Sequence, residues 1–293
     1  MKNYVFYLLI ISLACPVLRA EKITKDSDKL AIIEKIKQAD KKIKSFHIQY
    51  SSDISTESET EPNETQKQYF EWAKSGEKLF LKKQLGEESQ KRFQIGLWDG
   101  KYYKLFDTLT KSGSLRDKYQ VGSRDDAPYN LRGLAYSRFS GKFSGESLLE
   151  LFDIAPLKYI VIDIADDDSK LILTINTVDY VVAHKWIMIP DKNYVVEEYE
   201  YKLNDRNTNE YKTIVTQKAL EIIEAKPGIW IQNKVTASSI QPDDTIRQEQ
   251  FELDLLKVNE PSIEEVFKWD FPADGESTYY DYTLERSVKP GVQ

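Results

Sequence analysis

Cysteine is almost missing from this sequence. Its 293 residues contain one, Cys15, which falls within the first twenty. Past residue 20 there is no disulfide and no thiol chemistry. A chain of this length can bury a core without such staples. Histidine is nearly as scarce, with only His47 and His184. Neither sits in a G-x-S-x-G or H-E-x-x-H pattern. No nucleophile–base pair and no zinc set emerges, so the chain reads as non-enzymatic, with no metal and no cofactor. His184 alternates with Trp186 and Met188 and reads as a hydrogen-bonded strand histidine. A basic excess is also lacking. Lys and Arg number 41 against 48 Asp and Glu, the net charge is -7, and the two signs are interspersed. That excludes a nucleic-acid groove, which needs concentrated positive charge.

The remaining polar clusters do not fill these gaps. A calcium loop opening at Asp166, Asp167 and Asp168 would want Gly at 171 and Glu at 177, where Leu171 and Thr177 stand. These aspartates read as a hairpin turn. Glu197, Glu198 and Glu200 lie on one strand, whereas glycoside hydrolysis needs two carboxylates facing across a sugar. They read as a solvated face. In "RFSGKFSG" (138–145), Gly141-Lys142 lacks the other phosphate-loop positions, which hold Tyr136 and Phe143. This segment reads as a mobile loop or a flap over a pocket.

Long apolar runs are confined to the start. Lys2, the apolar stretch from Tyr4 to Ala14, and Leu18-Arg19-Ala20 have the form of a secretory signal peptide cut after residue 20. The run is short for a membrane span. The other leader reading cuts before Cys15, in "SLAC", and acylates it. Export after Ala20 implies a periplasmic protein, with residues 21–293 as one domain.

What the chain does have is aromatic residues, 18 Tyr, 12 Phe and 5 Trp, which favour strands and apolar pockets. Residues 27–45 show a helical stripe of Leu30, Ile33, Ile36, Ile43 and Phe46, capped by Ser27 or Asp26. Ile48, Tyr50 and Ile54 then alternate as in a half-buried strand. A train of about eleven strands follows in hairpin order, over 67–74, 78–85, 90–98, 101–107, 157–164, 170–176, 180–189, 194–203, 209–223, 229–238 and 245–258. A short helix at 146–152 interrupts it, and 108–145 reads as irregular. The fold expected is mainly β, a large antiparallel incomplete barrel, with an amphipathic N-terminal helix and short helices covering the concave face. Phe70, Trp72, Leu79, Leu81, Phe93, Ile95, Leu97, Tyr103 and Leu105 stand at alternating strand positions. Each alone fits an ordinary core. Together they are the candidate lining of an apolar cavity.

"VNEPSIEEVFKWDFPADG" (258–275) resembles the tail of the LolA-like lipoprotein-carrier superfamily. A strand ends near Asn259, a short helix carries Phe267, and the turn Pro272-Ala273-Asp274-Gly275 follows. "GIWIQNKV" (228–235) is similar to the family's late strand, with Gln232 where Pro is common. "IPDKNYVVEEYEYK" (189–202) is similar to its central hairpin, and "SFHIQYSSD" (45–53) follows the first helix in the same order. Residues 47–55 contain no Arg to match the family's early-strand arginine that latches its lid. The resemblance covers roughly 27–283. It implies an incomplete barrel closed by helices around acyl chains, with the tail as a helical plug and aromatic clamp at the end of that box. It also implies a monomeric carrier of lipids or lipoprotein acyl chains. Some relatives instead act as envelope sensors that bind the periplasmic segment of a membrane-anchored protein.

Overall fold

A computed structural model of the chain describes residues 21–57, 64–84, 92–117, 130–134, 147–165, 169–176, 182–205, 210–241 and 245–288. The leader with Cys15, the 138–145 loop and Asp166, Asp167 and Asp168 lie outside the described residues.

The first half of the chain lays down β1 (Glu21–Ile23), helix α1 (Asp26–Lys41), and then β2 (Ser45–Glu57), β3 (Glu64–Ser75), β4 (Lys78–Gln84), β5 (Phe93–Trp98), β6 (Tyr103–Asp107) and β7 (Ser112–Arg116). After α2 (Leu148–Ile154) come β8 (Ile160–Ile164), β9 (Leu171–Asn176), β10 (Val182–Ile189), β11 (Val195–Asp205), β12 (Glu210–Lys226), β13 (Ile229–Ile240) and β14 (Ile246–Val258). A 3-10 helix (Pro261–Lys268) then leads to β15 (Thr278–Asp281) and β16 (Arg286–Val288). All form one 16-stranded sheet, ordered β1-β8-β9-β10-β11-β12-β13-β14-β2-β3-β4-β5-β6-β7-β15-β16. Among the described residues it does not close: β1 and β16 are its edges. The two hairpin runs meet where β14 pairs with β2. This is the expected mainly β, antiparallel, incomplete barrel, with two differences. Among the described residues the strands number sixteen rather than eleven or twelve, and β15 pairs parallel with β7. The additional strands β1, β7, β15 and β16 have at most five residues each, too few to show an alternation.

Helix α1 buries Lys29, Ile33, Ile36 and Ala39, a stripe at steps of three and four. The stripe differs from the expected one at its ends. Leu30 is exposed, and the helix stops at Lys41, so Ile43 and Phe46 belong to the turn and to β2. Lys29 replaces Leu30 because its apolar stem covers the sheet while its Nζ donates to the carbonyls of Ile160 (2.9 Å) and Leu157 (3.3 Å). The N-cap is Lys25, with no side-chain cap bond, not Ser27 or Asp26. Asp26 and Asp28 sit instead in the first turn, where the helix dipole favours them. Helix α2 opens with a capping box between Ser147 and Glu150.

The register assigns each side chain to a face. Ile33 and Ile36 of α1, with Leu148 and Leu151 of α2, pack on Ile160, Ile162, Leu173, Ile175, Trp186, Met188, Tyr199, Tyr201 and Val215. This defines the helix-covered face over β8–β12. Phe46, Ile48, Tyr50, Phe70, Ile231, Val235 and Phe251 continue the core across the middle strands. A third cluster lies on the opposite face: Ile263 and Phe267 of the 3-10 helix cover Ala73, Phe80 and Leu97. The tail therefore corrects one expectation. Its clamp of Phe267, Trp269 and Phe271 does not plug the helix-covered side but caps the other side of β3–β6, with Phe271 stacked on Tyr279 at 4.3 Å. Asn259, at φ 50°, ties this tail to the start of β2. Its Oδ1 accepts from the Lys44 and Ser45 amides, and its Nδ2 donates to the Lys42 carbonyl.

Candidate functional site

The nine candidate lining residues divide between the two faces. Cross-strand partners share a face, and the register runs Trp72–Leu81–Gly96–Leu105 in one row and Leu79–Trp98–Tyr103 in the next. Phe70 sits on the same face, stacked on Tyr50 at 5.0 Å. Six of the nine, Phe70, Trp72, Leu79, Leu81, Tyr103 and Leu105, thus come together on the helix-covered face. Phe93, Ile95 and Leu97 pair with Gln84, Lys82 and Phe80 and point to the opposite face. There Leu97 is buried beneath the 3-10 helix, with Ile95 packed against the same cluster.

On the helix-covered face the side chains of Trp72, Leu79, Leu81, Trp98, Tyr103 and Leu105 are half-buried. Gly96 makes room in this strip, since a Cβ there would meet the Tyr103 hydroxyl at 3.0 Å. The strip leads into a cavity of about 270 Å³ lined by Asp40, Ile43, Phe46, Trp72, Lys74, Leu79, Asn130, Leu131 and Arg132. This lies near the lower end, ~300 Å³, of ordinary ligand pockets. Phe46 and Trp72 meet edge to face at 4.8 Å and form its apolar wall.

The other wall is a segment that the sequence reading passed over as irregular. Residues 130–134 run across the face as a buried strap. Leu131 and Leu134 fill two different core clusters. Its backbone is tied down at three carbonyls: the Gln232 amide donates to the Leu131 carbonyl, the Val196 amide to that of Arg132, and the Leu148 amide to that of Leu134. Asn130 Oδ1 accepts from the amides of Arg132 and Leu134. Gln232, fully buried, uses its side chain to extend this seam, donating to the Val196 carbonyl and accepting from Gln217.

Arg132 is the charged group of the strap and is only 2% exposed. Its Nη2 donates to the Asn193 carbonyl. Asn193 and Tyr194 hold positive φ in the turn before β11, which aims that carbonyl inward. Asp40 Oδ1, from the last turn of α1, lies 3.8 Å from Arg132 Nη1, beyond hydrogen-bond reach. Burial pushes the guanidinium down to about 10 against the opposing attraction of Asp40. Burial also raises the Asp40 carboxyl, against Arg132 and Lys74. For both partners desolvation outweighs their mutual attraction, as a loose pair predicts.

The other polar groups singled out in the sequence are occupied structurally. His184 Nδ1 is 2.9 Å from the Tyr199 hydroxyl and its ring stacks on Trp186; burial lowers it to about 4. His47 pairs with Glu71 at 2.8 Å. Glu197, Glu198 and Glu200 form ion pairs with Lys170, Lys218 and Lys202. Among the described residues no group of three or more His, Cys, Asp or Glu is placed to hold a metal. Among them, too, no helix is long and apolar enough to cross a membrane.

No family model and no curated protein matches the chain. Solved structures do. The chain is similar to a LolA superfamily protein from Nitrosomonas europaea, at 13% identity and a TM-score of 0.42, covering 83% of this chain and 98% of that one. It is similar to a domain assigned to the outer membrane lipoprotein-sorting proteins, from Vibrio parahaemolyticus, at 9% identity and a TM-score of 0.47, covering 83% and 97%. It is also similar to a DUF1329 family protein from Desulfovibrio piger, at 9% identity and a TM-score of 0.36, covering 82% and 96%.

Proposed function

We propose that residues 21–293 act as one domain that binds hydrophobic ligands, lipid or lipoprotein acyl chains, and carries them through the periplasm as a monomer without chemical change. The observation that carries this reading is the shared wall of cavity and strip: Trp72 and Leu79 belong to both. A chain that enters beside Phe46 can continue along half-buried apolar side chains instead of emerging into water. The physical need for such shelter is large. At ~0.8 kcal/mol per methylene, a chain of about 14 methylenes represents roughly 11 kcal/mol of exposure to water.

Delipidated protein titrated with oleate should bind saturably at micromolar concentration. Trp72→Glu should weaken that binding at least about tenfold, because an unpaired carboxylate in the strip opposes an acyl chain. Absence of saturable binding by the parent protein would defeat the carrier reading. A module that binds the periplasmic segment of a membrane-anchored protein would then be the better account. Export is tested separately by intact mass of the native protein, expected to begin at Glu21. A diacylated or triacylated N-terminal Cys15 would instead place the protein on a membrane.

A further inference from the structure

We infer that the cavity beside α1 is a headgroup seat, and that its ligand is an amphiphile with an anionic end, a carboxylate or phosphate, held by Arg132 and Lys74. This rests on the carrier reading and names the class of molecule carried. The unexplained feature is Arg132 Nη1. It is buried and has no hydrogen-bond partner among the described residues. A buried guanidinium donor without an acceptor is costly, and each such group in a folded protein calls for an explanation. Asp40 does not supply one, since it stands off at 3.8 Å. Both residues line the cavity.

The rest of the wall fits the same ligand. Lys74 lies on the same face as Trp72 and Leu79, is exposed, and brings a second positive charge to the cavity. With Asp40 the lining carries two positive groups and one negative. Asn130 adds a side-chain amide to the wall. Two oxygens of a carboxylate or phosphate can take two parallel bonds from a guanidinium, a geometry that a neutral hydroxyl cannot reproduce. The polar end of the cavity is built from α1, the strap and Lys74; its apolar end is Phe46, Trp72 and Leu79. The ligand that matches both is charged at one end and aliphatic beyond it. Burial already depresses Arg132 and raises Asp40, and an anion at Nη1 would offset the first of these shifts.

The test compares oleate with oleyl alcohol, which keeps the chain and removes the charge, on delipidated full-length protein. Oleate should bind at least about tenfold more tightly than the alcohol. Arg132→Gln should remove most of that preference while leaving the alcohol within about twofold. Lys74 is exposed, so Lys74→Gln keeps the fold and should weaken oleate alone, several-fold. Inorganic phosphate and acetate should not displace oleate at millimolar concentration. If either does so in an Arg132-dependent manner, the seat serves free anions and the inference fails. If oleate and oleyl alcohol bind equally, and both variants leave oleate unchanged, the headgroup seat is refuted while the hydrophobic carrier stands. If neither molecule binds, both readings fall.

Discussion

Ile36→Asp should destabilise the protein by about 4 kcal/mol or more, enough to leave it largely unfolded at ambient temperature if its stability is ordinary. Ile36 is fully buried where α1 meets the sheet, among residues of β8–β12. The substitution removes roughly 2–3 kcal/mol of apolar burial and adds a carboxylate with no partner. Leu30→Asp, one turn and a half away on the exposed side of the same helix, should change stability by no more than about 0.5 kcal/mol. Urea denaturation of the three proteins measures both effects. Equal midpoints for the parent and Ile36→Asp would mean that α1 does not seat on the sheet at all. The wall that Asp40 contributes to the cavity would then be lost with it.

The long strands were legible because each alternates apolar and polar side chains against one covered face, as in Leu171, Leu173 and Ile175, all buried, between half-buried neighbours. Helix α1 was legible for the same reason, through Ile33 and Ile36. The alternation fails as a guide where both faces are covered. In β4, Leu79, Phe80 and Leu81 are consecutive apolar residues; Leu79 and Leu81 line the strip, while Phe80 lies under the 3-10 helix. A strand buried on both sides no longer shows which face a residue takes. Relative phase between strands is set by register, which single-strand patterns do not contain. That is why Phe93, Ile95 and Leu97 were grouped with residues that the register places on the opposite face. The tail's elements were read in the correct order, but its place at the end of the box was not, because no local pattern says which face of the sheet it covers.

The strap was missed for a different reason. In "NLRGL" the apolar residues Leu131 and Leu134 are three apart, which fits no strand, and the stretch is too short for a helix. Its signal is a pair of leucines around Arg-Gly, and its structure depends on partners more than sixty residues away, at Val196 and Gln232. Arg132 therefore had no local context that would mark it as buried. Lys74 and Asp40 likewise looked like ordinary surface charges on a strand and a helix.

Gly133→Ala should cost about 3 kcal/mol, and its comparison with Gly76→Ala separates the two causes. Both glycines have positive φ, 72° and 56°, which costs an L side chain roughly 1–2 kcal/mol. At Gly76 a Cβ would meet nothing within 4 Å, so backbone strain is the whole effect. At Gly133 the same atom would stand 2.5 Å from Gln232 Nε2 and 2.8 Å from Val196 Cβ. The glutamine could retreat only by giving up its bond to the Val196 carbonyl, and Val196 Cβ is fixed to a strand. The strap must therefore lift, uncovering Leu131 and Leu134 and moving Arg132 from the cavity wall. Thermal melting should show a clearly larger loss for Gly133→Ala than for Gly76→Ala. The affinity for oleate should fall in the first variant and stay unchanged in the second. If the two variants melt together, residues 130–134 are not wedged between β11 and β13, and Arg132 is not held where an anionic headgroup would need it.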